Sequence, residues 1–277
     1  MRFSLVIATL DRTDELAALL GSLAAQSFKD FELIIVDQNA DDRLVPTLAA
    51  FPSLRIRRLR CSVRALSLAR NYGLAQCNGD LVGFPDDDCL FPPGTLTAVD
   101  AAFRADAALA LLSGPAVSPD GALGSGRWSP VSGPITVATV WTRVIAFNMF
   151  IRRDTLSSVG GFDETLGVGA RFGSAEETDL AIRVIQAGNK AFYDTNLHVI
   201  HPDKRMTRAA IARAFSYGTG LGRVLRKHRV ATHVASQFFV RPTGGILLSL
   251  ARLRPLDALY YWKTLQGRLS GYFANFP

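Results

Sequence analysis

Short runs of apolar and β-branched residues alternate with amphipathic segments along the first 90 residues of the chain. Apolar runs of this length predict buried strands, and leucines at helical spacing between them predict helices. The predicted strands are residues 3–8, 31–36, 54–59 and 81–84. The predicted helices are residues 14–25, 45–51 and 65–75. A regular alternation of strand and helix predicts a largely parallel sheet with helices on both faces.

The pattern becomes less regular after residue 90 and then turns helical. The predicted elements are a helix at 95–103, a strand within 107–117, a strand at 145–151 and a helix at 176–186. Residues 118–134 are rich in glycine, serine and proline, which predicts a mobile loop. Beyond residue 201 apolar residues recur at helical spacing among many arginines. The predicted fold class is therefore α/β, with a mostly parallel central sheet followed by a basic helical region.

The composition bounds the size of the core and the compartment. A hydrophobic content of 48% in 277 residues allows one large α/β domain or a catalytic domain with a helical tail. The three cysteines lack CxxC spacing, so neither a disulfide framework nor a zinc site is predicted. No signal-peptide layout opens the chain, and no apolar run reaches the roughly 18 residues of a transmembrane helix. We therefore expect a cytoplasmic protein.

The net charge of +7 is unevenly distributed. Residues 201–277 contain 13 Lys and Arg and two acids, a net of +11, whereas residues 1–200 contain 18 basic and 22 acidic residues, a net of −4. Basic helices rich in aromatic residues suit an anionic membrane surface, which is the partner we expect for the tail. A helical cap on the catalytic domain and an apolar dimer contact are the alternatives. Nucleic acid is disfavoured, because the chain shows no recognised nucleic-acid-binding module.

Three consecutive aspartates, Asp86, Asp87 and Asp88, follow the apolar run 81–84. Adjacent carboxylates at the end of a buried strand are costly unless they find partners. A hard divalent cation is such a partner, since it takes oxygen ligands and usually keeps a phosphate as another. In a parallel sheet, ligands bind at the carboxyl ends of the strands. The cluster therefore predicts a site for a metal and a nucleotide diphosphate, with a solvated acidic loop as the alternative.

Further motifs accompany the aspartates in a fixed order, and the set resembles a family 2 glycosyltransferase of the GT-A fold. The motifs are Val6-Ile7-Ala8-Thr9 with Asp11-Arg12, Ile34-Ile35-Val36-Asp37, Ser67 to Leu74, Gly79-Asp80 before Phe84 to Cys89, Gly160 to Glu164, and Glu176 to Leu180 with Arg183. The resemblance covers about residues 3–201. It implies a GT-A catalytic domain at 1–203, with a nucleotide-binding half at 1–90 and an acceptor-binding half at 91–203. A basic amphipathic tail at 204–277 would follow.

The resemblance also implies the residues of the donor site. The nucleotide-binding residues would be Thr9, Asp11, Asp37, Arg70, Asp86 and Asp87, and the ligands of Mn²⁺ or Mg²⁺ would be Asp88, Asp87 and His201. A metal ion that bridges diphosphate oxygens neutralises the charge that develops on the leaving group. For His201 the alternative is a strand-end histidine that is bonded only to backbone.

An inverting transfer needs one general base to take the proton of the acceptor hydroxyl. The family usually places an Asp after a Glu at the start of a helix, and the matching pair here is Glu176-Glu177. The resemblance implies that Glu177 is the base, with Glu176 as the alternative. Asp163 and Glu164 would lie on the acceptor side.

The resemblance implies an inverting, metal-dependent glycosyltransferase of the hexosyltransferase type. The donor would be a nucleotide sugar, expected to be a UDP-sugar, and the acceptor a glycan or lipid-linked glycan in cell-surface polysaccharide synthesis. We expect the protein to be peripheral on the inner face of the cell membrane. One alternative is a catalytically inactive nucleotide-sugar-binding or scaffold protein of the same fold. A nucleotidyltransferase is disfavoured, because residues 9–12 lack the glycines its first loop would need.

Overall fold

The computed structural model describes residues 1–124, 126–202 and 207–275. The strands are β1 (Phe3–Thr9), β2 (Phe31–Asp37), β3 (Ile56–Arg60), β4 (Leu81–Gly83), β5 (Leu109–Ser113), β6 (Ala116–Val117), β7 (Gly133–Pro134), β8 (Met149–Arg152), β9 (Lys190–Tyr193) and β10 (Val199–Ile200). The helices are α1 (Asp14–Ala24), α2 (Leu44–Ala49), α3 (Leu66–Leu74), α4 (Thr95–Ala105), α5 (Arg153–Val159), α6 (Glu176–Gln186), α7 (Arg208–Lys227), α8 (Thr232–Ala235), α9 (Gln237–Ala251) and α10 (Pro255–Phe273).

The chain packs as two compact units. One consists of Met1–Phe162 and Leu180–Asp203, and the other of Asp163–Asp179 and Lys204–Pro277. Residues 163–179 therefore pack with the C-terminal helices. The predicted division into 1–203 and 204–277 stays a prediction, and its boundary lies outside the described residues.

An eight-stranded sheet, in the order β3-β2-β1-β4-β8-β5-β9-β7, forms the centre of the first unit. Strands β1 to β4 pair in parallel, as do β5 and β9, whereas β8 and β7 run antiparallel to their neighbours. The predicted fold class, a mostly parallel sheet with helices followed by a helical region, is confirmed. In the β1–β2 register Thr9 lies opposite Asp37, so both residues stand at the carboxyl end of the sheet.

Side chains of β1 and β2 alternate between the two faces of the sheet, as the pleat requires. On one face, Leu5 and Ile35 join a core cluster that includes four buried leucines of α1. On the other face, α3 lies so close that a Cβ on Gly73 would stand 2.5 Å from Cγ1 of Val6 and 2.9 Å from Cγ2 of Val36. Both faces are thus buried, which explains the nearly continuous apolar runs of these strands.

The strand predicted at 145–151 is shorter than the apolar pattern suggests. Residues Ala146–Asn148 form a 3₁₀ turn, and β8 begins only at Met149. The Asn148 side chain donates to the carbonyl oxygens of Pro115 (3.0 Å) and Leu197 (2.6 Å). These bonds hold the turn, so its residues do not extend the β-ladder.

Helices α7 and α10 of the second unit pack through glycines. Gly218 and Gly222 lie four residues apart on α7, and Gly267 and Gly271 lie four apart on α10. A Cβ on Gly267 would overlap the carbonyl oxygen of Phe215. The two backbones approach so closely that a side chain at this position would not fit.

We expect Gly267→Ala to destabilise the protein, although alanine favours helix by roughly 1 kcal/mol over glycine. The new methyl group would force α7 and α10 apart, and overpacking of this kind costs about 1–3 kcal/mol. The free energy of unfolding, measured by urea titration, should therefore fall by up to about 2 kcal/mol. Gly244→Ala in α9 is the control, because its Cβ would meet no atom within 4 Å. Equal effects of the two substitutions would contradict this packing.

Candidate functional site

The carboxyl end of β2 is marked by Asp37, whose side chain is fully buried. Its Oδ1 accepts hydrogen bonds from the backbone N–H (2.9 Å) and Nδ2 (2.7 Å) of Asn39, and its Oδ2 pairs with Arg58 (2.7 Å) and Arg60 (3.1 Å). Burial opposes ionisation, but these donors outweigh it and lower the pKa of Asp37. Asp37 is therefore an ionised, fixed group beside Thr9.

Asn39 joins the loops that follow β1 and β2. Its Oδ1 accepts from the backbone N–H of Asp11 at 2.8 Å. Asp11 has a φ of +59°, in the left-handed region that aspartate tolerates better than most residues. Its carboxylate pairs with Arg43 Nη1 at 2.8 Å. Asn39 was not among the predicted site residues, although a side-chain amide two residues after a strand-end aspartate marks it in the sequence.

Arg70 of α3 is almost completely buried and reaches the first residue of the aspartate triplet. Its Nη2 donates to Asp86 Oδ1 at 2.7 Å, and its guanidinium lies 5.4 Å from the centre of the Phe162 ring. A buried guanidinium requires a partner of this kind. Arg70 therefore helps to position Asp86, and both predicted nucleotide-binding residues lie at the same edge of the sheet.

Asp87 and Asp88 share one cation, Arg12, which was not among the predicted site residues. Arg12 Nη1 lies 2.8 Å from Asp87 Oδ1 and 2.5 Å from Asp88 Oδ2. Burial raises the pKa of Asp87 to about 6, against the opposing effects of the Thr9 hydroxyl and of Arg12. The available signal for Arg12 was its place in the Asp11-Arg12 motif directly after β1.

His201 reaches Asp88 because β10 pairs with β6 and because Ile200 exchanges backbone hydrogen bonds with Leu90. His201 Nε2 lies 3.3 Å from Asp88 Oδ1, and its ring stacks on Phe147 with the centres 4.6 Å apart. Although burial of Asp88 opposes ionisation, His201 and Arg12 lower the pKa of Asp88 to about 2. Burial likewise opposes protonation of His201, but Asp88 outweighs it and raises the pKa of His201.

Ligand atoms of Asp86, Asp88 and His201 all lie within 4.8 Å of one another. His201 Nδ1 lies 2.8 Å from the carbonyl oxygen of Pro202, so a proton on Nδ1 makes Nε2, which faces Asp88, the nitrogen that would bind a metal. Two carboxylates and one imidazole with this outer contact fit a divalent cation such as Mn²⁺ or Mg²⁺. Asp87, a predicted ligand, is not part of this group. One ring nitrogen of His201 thus contacts backbone and the other faces Asp88, and the role of His201 as a metal ligand stays a prediction.

The predicted base and its alternative lie in the second unit, in the first turn of α6. Glu176 is buried and Glu177 is half-buried. The partial positive charge at a helix N-terminus favours a carboxylate at either position. The preceding residue, Ala175, has a φ of +67°, which is unusual for a residue with a side chain. Of the two glutamates, Glu177 is the more accessible.

Asp163 and Glu164, the predicted acceptor-side residues, form a turn in the same unit. Asp163 Oδ1 accepts from the N–H (2.9 Å) and hydroxyl (2.7 Å) of Thr165, and Oδ2 pairs with Lys227 at 2.7 Å. Burial opposes ionisation of Asp163, but Lys227 and Thr165 lower its pKa. Glu164 is exposed. The roles assigned to these side chains stay predictions.

The fold and the strand-end acidic cluster together define a GT-A-like α/β protein. The sequence profile of Glycosyl transferase family 2 matches residues 4–161, more than half of the chain. The chain therefore belongs to glycosyl transferase family 2.

A relative among known proteins is the O-antigen biosynthesis protein RfbC of Myxococcus xanthus, which is 30% identical over 247 residues. The match covers 84% of this chain but only 18% of RfbC. A second relative, the uncharacterized glycosyltransferase YwdF of Bacillus subtilis, is matched over 35% of its length. The chain thus spans about a third or less of these curated relatives.

Solved structures share the fold at low sequence identity. The mannosyltransferase PcManGT of Pyrobaculum calidifontis, in complex with GDP-Man and Mn²⁺, superposes with a TM-score of 0.72 at 15% identity, covering 98% of this chain and 87% of that one. Residues 1–349 of TarS from Staphylococcus aureus, in complex with UDP-GlcNAc, give a TM-score of 0.64 at 16% identity, covering 99% and 93%. At these identities the likeness extends to the fold alone.

Proposed function

We propose that this chain is an inverting glycosyltransferase that moves a sugar from a nucleotide sugar to a hydroxyl group of a glycan or lipid-linked glycan. The observation that carries the proposal is the convergence of Asp86, Asp88 and His201 at the carboxyl end of a parallel sheet in a family 2 chain. The UDP-GlcNAc in the TarS complex supports a UDP-sugar as donor, and the GDP-Man in the PcManGT complex makes GDP the alternative.

Asp86, Asp88 and His201 would hold Mn²⁺ or Mg²⁺. When bound, the metal would neutralise negative charge on the departing nucleoside diphosphate. Arg12 adds its positive charge to that of the metal, beside Asp87 and Asp88. Arg70 pairs with Asp86 and keeps its carboxylate oriented. Asp37 and Thr9 border the same edge, where they would contact the nucleoside. The donor site would thus combine fixed carboxylates with two arginines.

The carboxylate of Glu177 would take the proton from the acceptor hydroxyl as that oxygen attacks the anomeric carbon. The bond from the sugar to the diphosphate breaks as the new glycosidic bond forms, which inverts the anomeric configuration. A single carboxylate base is sufficient for this one-step displacement. Asp163 and Glu164 would border the acceptor.

Calorimetric titration with UDP and with GDP, each with and without Mn²⁺, tests the donor site. We expect metal-dependent binding of one nucleotide, followed by transfer from the corresponding nucleotide sugars to synthetic lipid-linked acceptors. No metal-dependent binding of either nucleotide would remove the proposal. Binding without transfer from any donor would favour the inactive, scaffold-like alternative.

Metal binding should also depend on pH, because His201 can bind a metal only through a deprotonated ring nitrogen. Since the pKa of His201 is raised, we expect Mn²⁺ affinity to rise with pH through that pKa and to be about tenfold weaker for each pH unit below it. Titration calorimetry between pH 5.5 and 8.5 measures this. His201→Gln is the control variant and should lose this dependence; an unchanged slope would exclude His201 as a ligand.

For the tail, we propose an anionic membrane surface as the partner. Seven apolar side chains around the α9–α10 connection form what we call the tail apolar surface: Leu247, Leu248, Leu250, Leu253, Leu256, Leu259 and Trp262. All are exposed, and Leu253 is 90% exposed. Exposed arginines at 252 and 254 flank Leu253. Within the described residues no helix has both the length and the hydropathy to cross a bilayer. Apolar side chains among basic ones match the charge and depth of an anionic interface.

We expect Leu253→Glu to weaken binding to vesicles that contain phosphatidylglycerol by about tenfold or more, because a side chain that would be buried among the lipids is replaced by a charge that the anionic surface repels. Vesicle co-sedimentation measures the binding, with pure phosphatidylcholine vesicles for comparison. Leu123→Glu is the control, since Leu123 is 62% exposed and lies in the other unit. If Leu253→Glu instead dissociates a dimer in sedimentation velocity and leaves vesicle binding unchanged, the surface is a dimer contact.

A further inference from the structure

Lys227, the last residue of α7, bridges two aspartates from separate family motifs. Its Nζ lies 2.7 Å from Asp163 Oδ2 and 2.7 Å from Asp179 Oδ1. Asp163 belongs to the turn after Phe162, and Asp179 lies in the first turn of α6 beside the candidate bases. One ammonium group of the basic tail therefore ties the acceptor-side turn to the start of α6.

The bridge is buried where it contacts α6. The Asp179 side chain is fully buried, and the His228 side chain, which is 5% exposed, places Nε2 2.7 Å from the same Oδ1. Two carboxylates this close need a cation between them, because like charges repel strongly away from water. Lys227 supplies a charge that both aspartates share.

The segment that leads into α6 also lies directly on α7. The Ser174 hydroxyl donates to the Tyr217 carbonyl oxygen at 2.6 Å, and the Gly173 N–H donates to the Ser216 carbonyl oxygen at 3.2 Å. Ala175, with its left-handed φ, follows this contact and immediately precedes Glu176. A strained residue persists only where its surroundings fix it. Ala175 is therefore fixed by two contacts with α7: Ser174 bonds to Tyr217 just before it in the chain, and Asp179 pairs with Lys227 just after it.

We propose that Lys227 is a positioning residue for the candidate base at the start of α6, acting through Asp179. This inference rests on the proposed function, since it concerns the same transfer. Asp179 lies two residues after Glu177 in the same helical turn, so an Asp179 held by Lys227 and His228 fixes the direction of that turn. Part of the basic tail thus belongs to the catalytic machinery, in addition to any part that contacts a membrane.

The test compares Lys227→Met with Arg226→Met. Arg226 is the adjacent exposed cation and lies over the Tyr272 ring, so its substitution removes the same charge without touching Asp163 or Asp179. We expect Lys227→Met to lower kcat by about 10- to 100-fold, because a small misplacement of a catalytic group has effects of that size. The KM for the donor and the calorimetric affinity for the nucleotide should stay within twofold of wild type. Lys227→Arg should recover most of the kcat.

Hydrogen exchange of residues 175–179 provides a readout that does not depend on turnover. Exchange there should be faster in Lys227→Met and unchanged in Arg226→Met. His228→Ala, which removes the imidazole contact to Asp179 and keeps that of Lys227, should give a smaller change and serves if Lys227→Met does not fold.

The outcomes are distinct. A kcat of Lys227→Met equal to that of Arg226→Met would overturn the inference, as would unchanged exchange at 175–179. A loss that falls on nucleotide affinity and donor KM instead of kcat would assign Lys227 a general structural role and would also overturn it. If the wild-type protein transferred no sugar, the proposed function would fail. The hydrogen exchange of residues 175–179 would then show by itself whether Lys227 holds the start of α6.

Discussion

Replacing Asp88 by asparagine is expected to abolish metal-dependent nucleotide binding and to reduce sugar transfer by about 10³-fold. Asparagine keeps the shape of the side chain but removes the negative charge that a divalent cation requires. Asp88 is the carboxylate on which His201 and Arg12 converge, and its lowered pKa keeps it ionised at neutral pH. Among the members of the cluster, its loss should therefore have the largest effect.

The measurement is the titration with UDP or GDP in the presence of Mn²⁺, followed by initial rates with the matching nucleotide sugar. Asp80→Asn is the matched control, because Asp80 directly precedes β4, whereas Asp88 follows it, and because the side chain of Asp80 is 61% exposed. Circular dichroism should show that both variants remain folded. If Asp88→Asn bound the nucleotide and Mn²⁺ as tightly as the wild type, Asp88 would not be a metal ligand.

Glu177→Gln is expected to lower kcat by about 10²- to 10⁴-fold and to leave nucleotide affinity unchanged. Glutamine has the size of glutamate but cannot accept the proton of the acceptor hydroxyl. The residues predicted to bind the donor, such as Asp88, keep their own side chains in this variant. A loss confined to kcat would identify an interaction made only in the transition state.

Glu176→Gln is the matched comparison, since Glu176 is the neighbouring carboxylate at the same helix end. Its burial suggests a packing role, and we expect Glu176→Gln to affect stability more than kcat. The reverse pattern, with kcat lost only in Glu176→Gln, would transfer the role of base to Glu176. If both variants kept full activity, neither carboxylate would be the base.

These experiments also separate the two functional classes that the sequence left open. A scaffold that has lost its base would bind nucleotide through Asp88 but would show no turnover. Glu177→Gln would then have no effect on the rate. An active enzyme would lose binding in Asp88→Asn and only turnover in Glu177→Gln. The two substitutions therefore address the donor site and the chemical step independently.

The sequence alone predicted β1 to β5 and most of β8, whereas β7 and β9 were not predicted. Strands such as β1 and β2 have nearly continuous apolar runs because both faces are buried, so local pattern is enough to recognise them. In a parallel sheet the strand ends share one edge, and this geometric rule predicts that Thr9, Asp37 and the aspartate triplet lie at the same edge. The 3₁₀ turn before β8 was missed, since an apolar run does not reveal side-chain bonds such as those of Asn148.

Only the tertiary structure decided which charges meet. His201 joins Asp88 through the β10–β6 pairing, and Lys227 joins Asp163 to Asp179 across long stretches of chain. Arg12 lies across Asp87 and Asp88 because the loop after β1 turns at Asp11. Local periodicity specifies which residues are buried and at which strand end they lie. The pairing of distant polar groups depends on strand order, register and helix docking, which are set by the packing of the whole chain.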